Sequence, residues 1–73
     1  MQQVYKIVCE LDGVSRYVSG VTYYEVTLAK AGGTAGKIFT SLKQAENRME
    51  QAQSVMTGGK YYIAKFNLVR SYS

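Results

Sequence analysis

The sequence lacks several residue types on which common active sites depend. It has no histidine, no proline and no tryptophan, and its one cysteine is Cys9. Without histidine, the chain cannot build a thiolate–imidazole zinc site, a Ser-His-Asp triad or a Cys-His pair. It also cannot close a disulfide within the chain, which is typical of proteins in a reducing, cytoplasmic compartment. We therefore expect a protein that is not an enzyme and holds no cofactor or metal.

Long apolar runs are missing as well. No uninterrupted apolar stretch approaches the roughly 20 residues that span a bilayer, and no basic segment followed by an apolar one indicates a signal peptide. We therefore expect no membrane partner. A length of 73 residues predicts a single domain over residues 1–73. The apolar share of 47% is typical of a folded chain rather than a disordered one.

The beginning of the chain has the pattern of a β-hairpin. Residues 4–11 alternate in side-chain character, with Cys9 on the more apolar side as a small core residue. Asp12-Gly13 then predicts a tight type I′ turn, and residues 14–18 a return strand. Ser19-Gly20 is compatible with a second tight turn or with a bulge inside one longer strand.

The middle of the chain predicts a third strand followed by a loop. Residues 21–29 alternate again, and residues 31–36 are rich in glycine. A further short strand over residues 37–40 is left open. The segment Gly32–Lys37 has the form G-x-x-x-G-K, but no serine or threonine follows the lysine and no helix starts there. We interpret it as an ordinary loop rather than a phosphate-binding one.

One amphipathic helix and one long strand complete the chain. Ser41 and Gln44 have the spacing of a capping box. Gly58-Gly59 offers a left-handed residue at the end of the helix, and residues 60–72 predict the final strand. The apolar residues of the helix recur at spacings of three and four: Leu42, Ala45, Met49, Ala52 and Met56.

These elements predict an α+β fold: a small antiparallel sheet of four to five strands with one amphipathic helix on one face, in the order β-β-β-(β)-α-β. One narrow helix stripe covers one sheet face only. We expect the second face to be partly exposed and to mark a contact site. On that face the alternation places the following residues: Lys6, Val8, Tyr23, Tyr61, Ile63 and Val69.

Tyrosines interleaved with basic residues are the main functional signal. The chain has seven tyrosines and a net charge of +4, with the cations scattered rather than clustered. Tyrosine and arginine dominate the energetics of protein interfaces, so we expect a protein-binding surface. The alternatives are nucleic-acid binding by stacking and phosphate contacts, self-assembly into a homo-oligomer or structural particle, and a pocket for a small signalling molecule such as a nucleotide at a subunit interface. The candidate binding residues are Lys6, Arg16, Tyr17, Tyr23, Lys60, Tyr61, Lys65 and Arg70.

The pattern as a whole resembles a known class of small proteins. The opening strand that contains Val4–Val8, the Asp12-Gly13 hairpin, the start of the helix over Phe39–Ala45 and the tyrosine-rich final strand look like accessory proteins of bacteriophages and mobile elements, including anti-CRISPR inhibitors. The resemblance implies a non-catalytic inhibitor or adaptor that blocks a host defence protein in the cytoplasm of an infected bacterium. Members that mimic DNA are acidic, whereas this chain is basic, so we expect it to cover an acidic or apolar surface, or to help a complex hold nucleic acid, rather than to imitate a duplex.

Overall fold

Four antiparallel strands and one helix form the fold. The structure is a computed structural model that describes residues 2–33 and 35–68. In chain order the elements are β1 (Gln2–Leu11), β2 (Val14–Val21), β3 (Val26–Leu28), α1 (Leu42–Val55) and β4 (Lys60–Leu68). The sheet has the spatial order β3-β2-β1-β4. The predicted α+β class and element order are therefore confirmed, with four strands. The predicted extension of the last strand to residue 72 lies outside the described residues.

The β1–β2 hairpin follows its two-residue turn. Asp12 has φ 54° and Gly13 has φ 77°, the positive values that a type I′ turn requires at both central positions. The strands pair from Leu11 opposite Val14 to Val8 opposite Tyr17. This part of the prediction is confirmed.

Gly20 marks a bulge rather than a second turn. The register of β2 on β3 shifts between Val18 and Gly20, and β2 continues through Val21. The prediction of one strand over residues 21–29 is wrong over its first half, because residues 22–25 form a turn. The Thr22 hydroxyl accepts hydrogen bonds from the backbone N–H groups of Tyr24 (3.2 Å) and Glu25 (3.0 Å). Such local bonds compete with a strand ladder.

The segment over residues 37–39 lies between two diverging strands. The Lys37 N–H donates to the Val18 carbonyl of β2 at 3.0 Å. Phe39 and Tyr5 exchange both backbone hydrogen bonds at 2.8 Å, as an isolated antiparallel bridge to β1. The optional strand over residues 37–40 is thus one bridge to β1 and not a hairpin partner of β3. Phe39, which is 7% exposed, fills the core at this point.

The helix begins where the sequence predicts and ends differently. Ser41 is the N-cap, and its hydroxyl accepts from the Gln44 N–H at 3.4 Å. Met56 ends the helix in an extended conformation, and its N–H donates to the Ala52 carbonyl. The prediction of a left-handed residue at Gly58-Gly59 is wrong, since within the described residues only Asp12, Gly13 and Gly32 have positive φ. The described residues include no helix that is long and apolar enough to cross a membrane.

The core lies between α1 and one face of the sheet. Ala45 of the helix is fully buried against strand residues, and Met49 and Met56 pack around it. Leu42, in the first turn, is 46% exposed and contributes less than the other residues of its stripe. The buried cluster itself consists of Ile7, Cys9, Val18, Phe39 and Ala45.

Candidate binding face

The strand register decides which residues of β4 the helix covers. Residues that are directly opposite in an antiparallel pair share a face. Tyr61 is opposite Cys9, and Ile63 is opposite Ile7, so both belong to the helix side and pack against the core. The prediction that Tyr61 and Ile63 lie on the second face with Lys6 is therefore wrong. Alternation groups the residues of a strand into two sets, but only the register says which set meets the helix.

The other side of the sheet is what we call the helix-free face. It takes the residues that alternate with the core positions of β1, together with their partners across the sheet. Its inner residues Val4 and Val8 are 5% and 6% exposed, whereas Tyr62 and Phe66 are 47% and 37% exposed. Aromatic rings therefore form the surface that solvent reaches. The helix-free face consists of Val4, Lys6, Val8, Glu10, Ser15, Tyr17, Lys60, Tyr62, Ala64 and Phe66.

Lys6 lies against two aromatic rings of this face. Its Nζ is 4.7 Å from the ring centroid of Tyr17 and 5.6 Å from that of Phe66. The two rings are themselves in an edge-to-face arrangement, with centroids 6.2 Å apart. Each such cation–π contact contributes about 0.5–1 kcal/mol at an exposed site. The three side chains thus hold one another in place, and an ammonium group lies within an aromatic surface.

Gly36 supports this arrangement from the neighbouring loop. A Cβ at this position would lie 2.5 Å from the Cβ of Tyr17 and 3.4 Å from the Cδ of Lys6. Only glycine lets the loop backbone pack so closely on the stems of both side chains. The glycine-rich segment therefore buttresses the helix-free face.

The structure brings only part of the predicted binding set together. Lys6 and Tyr17 are in contact on the helix-free face. Lys60, at the start of β4, is directly opposite Glu10 and shares this side of the sheet. Tyr61 lies on the helix side.

The remaining predicted residues lie elsewhere. Arg16 is opposite Cys9 and Lys65 is opposite Tyr5, so both belong to the helix side, where both are exposed. Tyr23 is 85% exposed in the turn between β2 and β3. Arg70 lies outside the described residues, as does Val69.

Tyr62 and Phe66 are exposed aromatic residues of the helix-free face that the predicted binding set does not contain. The predicted second face took Tyr61 and Ile63 from the last strand, and the residues that alternate with them, Tyr62 and Phe66, were therefore left on the other side. The signal that would have found them is the pairing of β4 with β1, in which Val8 faces Tyr62 and Val4 faces Phe66. Pairing between distant segments is not visible in the alternation of either one.

Tyr61 has the opposite environment from its neighbour Tyr62. Its hydroxyl donates to the Met56 carbonyl at 2.9 Å and thereby ties β4 to the end of α1. Burial raises the pKa of Tyr61 from 10.0 to about 12, and the adjacent Cys9 adds to this. The neutral phenol, which is the form that donates the hydrogen bond, is therefore favoured. Tyr61 is a structural residue of the covered face.

Side chains that could bind a metal do not cluster in the described part of the chain. Over residues 2–33 and 35–68, no group of three or more His, Cys, Asp or Glu side chains is arranged to hold a metal ion. Cys9 is free and fully buried. A Cβ at Gly59 would lie 2.7 Å from its Sγ, so the thiol is closely packed.

Comparison with family models, curated proteins and solved structures finds nothing that matches this chain.

Proposed function

We propose that this chain is a non-catalytic binding protein that contacts a partner protein through its helix-free face. The observation that carries the proposal is the exposure of Tyr62 (47%) and Phe66 (37%) beside Tyr17 on a sheet face without a covering helix. Aromatic residues at the centre of an interface provide much of the binding free energy. An exposed patch of this kind commonly marks an interaction site.

The face is organised before any partner binds. Lys6, Tyr17 and Phe66 contact one another, and the Gly36 backbone supports two of them. Because these side chains have lost much of their freedom already, binding costs less conformational entropy than it would for mobile side chains. Rigid aromatic anchors of this kind favour a specific partner.

Charge indicates the chemistry of the partner surface. The chain has a net charge of +4, and Lys6 and Lys60 lie on the proposed side, where Lys60 is directly opposite Glu10. An apolar surface with an acidic rim would complement this arrangement. The resemblance to small phage accessory proteins suggests a host defence protein or complex, blocked in the bacterial cytoplasm.

Affinity capture followed by titration tests this proposal. Tagged protein is used to isolate a partner from bacterial lysate, and the affinity of the purified partner is then measured for variants of the chain. Tyr62→Ala and Phe66→Ala should each weaken binding by about tenfold or more, since interface anchors contribute about 2 kcal/mol or more. Tyr23→Ala and Tyr24→Ala are matched controls, because these tyrosines are 85% and 91% exposed in the 22–25 turn.

Retention of full affinity by both Tyr62→Ala and Phe66→Ala would reject the helix-free face as the binding surface. Loss of affinity in the Tyr23→Ala control alone would transfer the site to the turn. The inhibitory role is tested separately: expression of the chain in a bacterium with an active defence system should restore infection by a sensitive phage.

Single-stranded nucleic acid is the second candidate partner, and one observation favours it. The Lys6 ammonium lies between two rings on an open sheet face, so bases could stack while a phosphate is neutralised. This candidate predicts binding to labelled oligonucleotides that weakens steeply with salt. Absence of binding at low salt would eliminate it.

Light scattering provides the corresponding test for self-assembly through the same face.

A further inference from the structure

A second concave surface lies where residues 37–40 pass the first half of α1. We call it the basic cleft. Its outer part has a volume of about 350 Å³, and its polar lining comes from Lys37, Thr40, Gln44, Asn47 and Arg48. A neighbouring cavity of about 40 Å³, which we call the inner part, is lined by Val18 and Val21 among others. The two parts meet at residues that line both, which are Lys37, Phe39 and Arg48.

The cleft has one sign of charge. Lys37 and Arg48 line both of its parts, and among the described residues no aspartate or glutamate lines either one. Gln44 and Asn47 add side-chain amides that donate hydrogen bonds. A concave surface that presents cations and donors without a carboxylate attracts an anion.

The framework that carries the two cations is fixed. The Lys37 N–H is bonded to the Val18 carbonyl at 3.0 Å, and its Nζ lies 5.8 Å from the ring centroid of Phe39. The Arg48 guanidinium donates to the Gln51 side-chain oxygen at 3.1 Å. That bond orients the group and occupies one of its five N–H donors, so further donors can serve a ligand.

We propose that the basic cleft binds a small phosphate monoester that carries an apolar group. The doubly charged phosphoryl group matches the two cations, and the planar guanidinium of Arg48 suits its oxygens. The apolar group of the ligand contacts Phe39 and Val21 in the inner part. Recognition is by side chains rather than by a phosphate loop, since α1 begins at Leu42 and not directly after Lys37. The site lies outside the helix-free face and goes beyond the proposed function.

A titration with three simple probes tests the class of ligand. Phenyl phosphate, inorganic phosphate and benzoate are added to ¹⁵N-labelled full-length protein at low ionic strength, and amide shifts are followed by NMR. Phenyl phosphate should shift amides over residues 37–48. Inorganic phosphate lacks the apolar group and benzoate lacks the second charge, so each should bind about tenfold more weakly. Equal binding of all three would overturn the proposed ligand class.

Charge-matched variants test the location. Lys37→Gln and Arg48→Gln should each weaken binding of phenyl phosphate by about tenfold or more, since each removes a charge-assisted hydrogen bond. Lys43→Gln removes the same charge from the same helix, but Lys43 does not line the cleft, so affinity should change less than about twofold.

Two further results would overturn the proposal: no shifts up to millimolar phenyl phosphate, or an equal loss in Lys43→Gln. Unchanged NMR spectra of the unliganded variants show that each is folded. Tyr62→Ala, on the helix-free face, should retain phenyl phosphate binding. Failure of the cleft and failure of the partner interface are therefore distinguishable.

Discussion

The two faces of the sheet use the same alternating strands for different purposes. On the helix side, Ile7 and Cys9 are fully buried, and the hydroxyl of Tyr61 donates a hydrogen bond to the Met56 carbonyl. On the helix-free side, the rings of Tyr62 and Phe66 reach solvent. Tyr61 and Tyr62 are neighbours in sequence and identical in type. Their roles differ because one side of β4 meets the helix and the other does not.

The difference shows what the helix contributes. α1 is narrow, and its fully buried residues Ala45 and Ala52 are small, so it fits closely over the aliphatic centre of one face. No second helix of the described chain covers the opposite face. Close packing therefore makes one face the source of stability, and exposed aromatic rings leave the other open for the proposed binding.

The largest expected effect on stability comes from a substitution on the helix side of the sheet. Ile7→Ala should lower the free energy of unfolding by about 2–5 kcal/mol, because Ile7 is fully buried and its truncation leaves a cavity. Urea unfolding followed by circular dichroism measures the change. A loss below about 1 kcal/mol would contradict the assignment of this face as the core.

Two glycines provide the next comparison, one against each face. A Cβ at Gly59 would lie 2.7 Å from the Cys9 Sγ, and one at Gly36 2.5 Å from the Tyr17 Cβ. Alanine at either position should cost about 1–3 kcal/mol through overpacking. Gly58→Ala is the control, because the nearest contact of a Cβ at Gly58 would be a Leu11 methyl carbon at 4.0 Å.

Thermal unfolding of the three glycine variants measures these effects. The Gly58→Ala control should remain within about 0.5 kcal/mol of the parent. If Gly36→Ala is as stable as that control, the loop does not support the helix-free face as described.

The hydroxyl of Tyr61 should make the stability of the protein depend on pH in the alkaline range. At neutral pH, Tyr61→Phe should cost about 1 kcal/mol, because the hydrogen bond to the Met56 carbonyl is lost. The pKa of Tyr61 is raised from 10.0 to about 12 in the folded state. Between those values the unfolded state loses its proton first, so the stability of the parent protein falls as pH rises.

The variant lacks this ionisation, so the stability difference between parent and Tyr61→Phe should narrow from about pH 10 to pH 12. Urea unfolding of both proteins across that range measures it. A difference that stays constant with pH would show that the hydroxyl is not held in its neutral form.

The smallest expected effect on stability is on the helix-free face. Tyr62→Ala should change the free energy of unfolding by less than about 1 kcal/mol, because the side chain is 47% exposed. Its partner binding should nonetheless fall sharply. Chemical denaturation and the partner titration are measured on the same sample. A loss of stability comparable to that of Ile7→Ala would show that the helix-free face contributes as much to stability as the helix side does.

Local features of the fold were predictable from sequence. The Asp12-Gly13 turn follows from the need for positive φ at both central positions, and the helix start follows from Ser41 and Gln44. The turn at residues 22–25 was missed because Thr22 bonds the backbone locally, against a pattern that alternates like a strand.

The binding face was only partly predictable. Lys6 and Tyr17 were among the expected residues, but Tyr62 and Phe66 were not. The alternation shows which residues of a strand share one side of the sheet. It does not show which side the helix covers. The cleft lined by Lys37 and Arg48 was also not visible, since it forms only where residues 37–40 pass α1.

The sequence by itself determined the elements of this protein, because turns, caps and amphipathic periods depend on residues within a few positions of one another. The tertiary structure decided which face of the sheet the helix covers and which residues solvent reaches. That choice depends on the register of β4 against β1, which joins residues as far apart as Gln2 and Leu68. A shift of one residue would exchange Tyr61 with Tyr62, and with them the core side and the exposed aromatic side of the sheet.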